Sequence, residues 1–180
     1  MGQNVKGLER CYPVLAGAPI DLNSPGMTGD YFNMSKYRRC LVIIAFGDGT
    51  ATTGDIVATL SQSKTVANGD SSDKVLNALV TGRIYAQVAA TYAAYAQLTG
   101  GWTEETQVVA DEVWTDDDSG EQCGIICLEI RQEDLDVDSG FIYFKCSLTA
   151  AASAKVAAMI YLGLDPTNEA APVNMANPLV

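Results

Sequence analysis

The sequence predicts a mainly β fold: an antiparallel β-sandwich or barrel-like domain with an extended N-terminal arm and a C-terminal tail. Three observations predict it. Short apolar runs, some unbroken and some alternating with polar residues, recur along the chain. Clusters of Gly, Asp, Asn and Ser separate them and supply turns. No strand–helix–strand alternation marks a parallel sheet. The 180 residues suit one domain with tails, and 48% hydrophobic against 18% charged residues is enough apolar surface for a packed core.

Residues 1–36 are rich in Gly, Pro, Asn and Ser and show no period; Pro13, Pro19 and Pro25 punctuate them. They read as an arm that orders only against a neighbour. The domain is expected over residues 37–165. It opens with "YRRCLVIIAFGDG", whose unbroken apolar run Leu41 to Phe46 reads as a buried strand ending at the turn Gly47-Asp48-Gly49. In "GDIVATLSQSKTV", Ile56, Ala58 and Leu60 share one face and Thr59, Ser61 and Ser63 the other, a half-solvated strand. After a polar loop, a strand is expected near Val80 to Gln87.

Residues 85–106 are ambiguous. Tyr85, Val88, Tyr92 and Tyr95 form a helical stripe in an Ala-rich segment, while the flanks favour strand and loop. "VVADEVW" reads as a strand. "CGIICLEIRQ" points Ile126, Leu128 and Ile130 inward, with Cys123, Cys127, Glu129 and Arg131 mainly on the opposite face. "VDSGFIYFKCSL" is a turn launching a strand with Ile142, Phe144, Cys146 and Leu148 inward. "AKVAAMIYLGLDP" is the last strand, stopped by Asp165-Pro166. Residues 166–180, with Pro172 and Pro178, form the tail.

The chain contains no histidine, so histidine-activated Ser or Cys nucleophiles and histidine metal ligands are excluded. Its net charge of −11 disfavours nucleic acid, whose phosphates require Lys and Arg, and anionic membranes. No apolar stretch is long enough for a membrane helix, and "MGQNVKGLERCYPVLAGAP" lacks the pattern of a secretory signal, so synthesis in a cytosol is expected.

Candidate sites are few. "DLDVDSG" spaces Asp134, Asp136 and Asp138 like a calcium loop, but Ser139 and Lys145 stand where such a loop needs Gly and Glu, so a structural turn is the better reading. "DDDSGE" reads as a solvated hairpin tip. "GDGTATTGD" lacks the Lys-Ser/Thr of a phosphate loop. Trp102, Trp114 and the tyrosines suit sheet packing better than a sugar site. No catalytic, cofactor or metal residues are assigned.

The five cysteines include no Cys-x-x-Cys pair, and their odd number leaves at least one thiol reduced or joined to another chain. Cys123 and Cys127 lie about 13 Å apart on a strand, too far to bridge each other, and face outward where a neighbour could meet them. Cys11 lies in the arm, Cys40 could face either way, and Cys146 points inward. Cys11, Cys40, Cys123 and Cys127 are therefore candidates for inter-chain disulfides, against the alternative of five reduced thiols.

"NMSKYRRCLVIIAFGDG", "DIVATLSQSKTVA", "EDLDVDSGFIYFKCSL" and "AKVAAMIYLGLDP", in this order after a Gly/Pro arm, resemble small β-rich virion proteins of tailed bacteriophages, of the head decoration (cement) type. The Leu135–Phe141 turn and strand, the Ala-rich loop Thr149–Ala154 and the final strand carry the likeness, which spans roughly residues 30 to 165. The resemblance implies no enzyme and no cofactor. It implies a protein on the outer capsid surface of the virion, made in a bacterial host cytoplasm, that contacts the major capsid protein and copies of itself, often as homotrimers. A neck, tail or baseplate component and a glycan-binding host-attachment module are the alternatives. Five cysteines and residues 85–106 depart from that pattern.

Overall fold

The computed structural model describes residues 10–23, 25–47, 49, 56–66, 73–76, 82–89, 101–107, 112–115, 123–149, 154–167 and 177–179. Their strands are β1 (Cys11–Asp21), β2 (Met27–Thr28), β3 (Phe32–Asn33), β4 (Tyr37–Phe46), β5 (Val57–Ser63), β6 (Lys74–Val75), β7 (Ile84–Ala89), β8 (Thr103–Glu105), β9 (Glu112–Thr115), β10 (Cys123–Arg131), β11 (Tyr143–Leu148) and β12 (Val156–Pro166). Two antiparallel sheets pack together as a β-sandwich. The first runs β1-β12-β4-β10-β7-β8. The second runs β2-β11-β5-β6, with β3 also on β11 and β9 also on β5.

The strands form where β-branched and aromatic residues cluster, and period-2 alternation decides which side chains enter the core. From the first sheet, Val42, Ile44, Ile126, Leu128, Ile130 and Met159 are buried; from the second come Ala58, Leu60, Phe144, Cys146 and Leu148. Phe32, Phe144 and Tyr161 form an aromatic cluster with ring centroids 5.3 to 5.8 Å apart. The fully buried Tyr161 hydroxyl accepts a hydrogen bond from the Cys146 backbone N–H at 2.8 Å, so one side chain of the first sheet is tied to the backbone of the second.

The turn before β11 is a short 3₁₀ segment, Val137–Ser139, closed by Gly140 at φ 90°, a conformation that favours glycine. Leu135 and Phe141 on either side of it are buried. Of the inward set expected from the alternation of β10 and β11, Ile126, Leu128, Ile130, Phe144, Cys146 and Leu148 are buried, whereas Ile142, just before β11, is only half-buried.

The arm expected over residues 1–36 differs from Cys11 onward. Cys11–Asp21 pairs with β12 along its length, with register shifts at Leu15/Gly17 and Gly17/Ile20, so it is the first strand of the larger sheet. Gly, Pro and Ala obscured its pattern, yet Tyr12, Val14 and Ile20 pack against the core. Residues 27–34 likewise belong to the domain: Met27, Phe32 and Met34 are buried. In the C-terminal tail, Pro178 accepts a hydrogen bond from Asn33 N–H at 2.9 Å, and Leu179 bridges Phe32 and packs on the core.

In the ambiguous stretch, Ile84–Ala89 and Thr103–Glu105 are strands paired with each other. Residues 90–100, "DDDSGE" and most of "GDGTATTGD" lie outside the described residues.

Candidate docking surface

The outward face of the six-stranded sheet is built from residues that usually lie inside. Cross-strand register sets them in rows. One row runs Leu15, Ile160, Ile43, Cys127, Tyr85 from β1 across β12, β4 and β10 to β7. A second runs Pro13, Leu162, Leu41 and ends at Glu129. A third sets Ala158, Ala45, Ile125 and Gln87 side by side. Val156 continues the apolar line of β12 beyond them.

Leu15 is 56% exposed and Val156 54%; Ile160 and Tyr85 are also exposed, whereas Leu41, Ile43, Ile125, Cys127 and Leu162 are half-buried by their neighbours. Trp102, 49% exposed, immediately precedes β8, whose Glu104 is the register partner of Tyr85. An antiparallel sheet with one solvated side ordinarily turns polar residues outward. Here β4, β10 and β12 carry apolar residues on both sides, as strands covered on both faces do.

The two ends of this face differ. Beside Val156 lies a shallow apolar cavity of about 290 Å³, lined by Ala45, Phe46, Gly47, Cys123 and Ala158 among others. At the opposite end an open cleft of about 440 Å³ is lined by Arg38, Arg39, Arg131, Glu133 and Asp165 among others. Arg39 Nε is 2.6 Å from an Asp165 carboxylate oxygen, and Arg131 Nε is 2.7 Å from Glu129. These carboxylates raise both guanidinium pKa values through their hydrogen bonds. Arg83 is buried and paired with the buried Asp134. The end is therefore a mixed-sign rim in which the arginines are largely matched by carboxylates, not a bare anion site.

The cysteines divide by depth. Cys11 sits opposite Leu164 on the edge strand and Cys127 near the centre of the apolar face; both are half-buried. Burial pushes the Cys127 thiol above its ordinary range. Cys123, expected to face outward for a neighbour, shares the face of Cys127 but is only 2% exposed. Cys40 and Cys146 are wholly buried in the core, where burial raises both thiols, Cys146 to about 12. Among the described residues no disulfide is present.

The acidic turn holds no cation cage. Asp134 accepts the Arg131 backbone N–H at 2.7 Å besides pairing with Arg83, and Asp136 pairs with Lys74 at 3.3 Å, so the two carboxylates serve different partners. Among the described residues no group of three or more Cys, Asp or Glu is placed to hold a metal.

Sequence reading missed one polar cluster on the smaller sheet. Lys145 Nζ lies 2.5 Å from Asp73 and donates to the Tyr31 hydroxyl at 2.9 Å, which in turn donates to Asp73 at 2.9 Å. Burial alone would raise Asp73, but bonds from Lys145, Ser63 and Tyr31 outweigh it and hold the carboxyl low. Burial alone would lower Lys145, and Asp73 with Tyr31 raises it instead. A lysine held charged is a poor base or nucleophile, so the cluster acts as a structural clamp. Only the outward position of Lys145 was legible from alternation; residue 73 is distant in sequence and meets it only through the fold.

Among the described residues no helix is long and apolar enough to cross a membrane. Comparison with known proteins finds no matching family model, no matching curated protein and no matching solved structure.

Proposed function

We infer that the chain is a structural protein of a tailed-phage virion, decorating the head and stabilising it by bridging neighbouring capsid subunits, and that it works through surfaces and not through catalysis. The observation that carries this reading is the apolar outer face spread over five strands of the larger sheet. Exposed apolar patches of that extent mark assembly or recognition surfaces. The likeness of the strand and turn segments to head decoration proteins names the kind of assembly, with the major capsid protein and further copies of the chain as partners.

The test is a count of copies in purified particles of the phage that encodes the chain, by quantitative mass spectrometry. A decoration protein is present in a fixed, high ratio to the major capsid protein. A few copies per particle would assign it to the neck, tail or baseplate instead, and its absence from particles would overturn the virion reading.

A second reading has one observation in its favour. Tyr85 on β7 and Trp102, just before β8, are both exposed, as aromatics that stack on sugar rings are. A glycan-array signal abolished by Trp102→Ala would favour a host-attachment module.

A further inference from the structure

We propose that the outer face of the six-stranded sheet is occupied by a second copy of this chain, packed face to face about a twofold axis. The inference rests on the reading of this face as an assembly surface and commits it to one partner.

Size is the first argument. Five strands about 4.8 Å apart, with Val156 to Leu164 rising about 3.3 Å per residue, make an area of about 24 by 26 Å. That is on the order of 600 Å² per copy, at the lower bound of specific stable interfaces.

Charge is the second. The chain carries −11, yet the rows from Leu15 to Tyr85 and from Ala158 to Gln87 contain no charged side chain, and Glu129, Arg39 and Arg131 at one end of the area are paired with one another, so two copies can approach with few unmatched charges between them. The rim is polar in the manner of an interface margin.

Cys127 lies within this face as a free thiol, and the packing of two apolar faces does not depend on joining it to a partner, so the dimer is expected to form in reductant. The resemblance implies trimers; this flat face closes with two copies.

The experiment is light scattering behind size exclusion on the full chain, with and without reductant, over about 1 to 100 μM. The expected mass is twice the chain's 19.1 kDa in both conditions. Ile160→Glu and, independently, Leu15→Glu should weaken the dimer about 100-fold or more while leaving the thermal midpoint of the monomer unchanged, because both side chains are exposed in a single copy. Ser61→Glu, on the outward face of the smaller sheet, should leave the dimer intact.

A monomer throughout the range, a trimer, a dimer lost on reduction, or a dimer as tight in both face variants would each overturn the proposal. A monomer captured only by capsid shells would give the face to the capsid protein. Dimers of a chain missing from particles would sink the virion reading and leave the twofold interface standing; abundant monomers in particles would do the reverse.

Discussion

The Tyr161 hydroxyl accepts an amide proton of the opposite sheet in a fully buried position. Removing it in Tyr161→Phe leaves the Cys146 N–H without that acceptor in the core. The variant should lose about 1–3 kcal/mol, read as a lower midpoint in urea denaturation at unchanged slope. A midpoint equal to the wild type would mean that the amide finds another acceptor. At this scale the sequence reading worked where alternation governs. Ile126, Leu128, Ile130, Phe144, Cys146 and Leu148 were all expected inward and all are buried. It failed at Cys123, since alternation assigns a face but not how deeply a position on that face is buried. The partner of Tyr161 was not legible either, because a bond to backbone leaves no mark in the identity of the residue that donates it.

Among the elements, β12 lies between β1 and β4 and bears on both. Its Gly163 is packed under the Tyr37 ring, where an added Cβ would come within 2.8 Å of the ring carbons. Tyr37 is itself buried against Phe32, with ring centroids 5.6 Å apart, and has little room to yield. Gly163→Ala should therefore destabilise by about 1–3 kcal/mol and lower the thermal midpoint, despite the better strand propensity of alanine. A neutral or stabilising effect would show that the ring can shift. The course of β12 was legible from "AKVAAMIYLGLDP", but β1 was not. Pro13, Gly17 and Pro19 interrupt its pattern, and its register on β12 shifts twice. A strand held mainly by pairing to a distant partner leaves little local signal. For residues 85–106, Tyr85 and Val88 fit a helical stripe as well as a strand, and only pairing with Cys127 and Gly124 selects the strand.

For the whole molecule, the core holds ionisable groups in their neutral form, and this makes stability depend on pH. Burial raises the Cys146 thiol from 9.0 to about 12, and Tyr37 rises from 10.0 to about 12 by burial and by the nearby Tyr12. The unfolded chain releases these protons more readily than the folded one. The contribution to stability is thus complete below pH 9.0 and is lost progressively as pH rises towards about 12. The urea midpoint should hold steady to about pH 8 and then fall, less steeply in Cys146→Ala. A flat profile to about pH 11 would contradict neutral burial of these groups. The sandwich was legible at this scale because turn clusters and short apolar runs define it. The exposed face was not, since an unbroken run such as Leu41 to Phe46 announces cover on both sides without saying which chain supplies it. The edges of the larger sheet bear on how such assemblies end. Pro13 and Pro19 lack backbone donors, β1 is bulged about Gly17, and β8 on the far side has only three residues. Among the described residues neither border of this sheet is a good template for adding strands, so these edges disfavour growth into filaments. Contact through a face that closes on itself leaves no open end to extend.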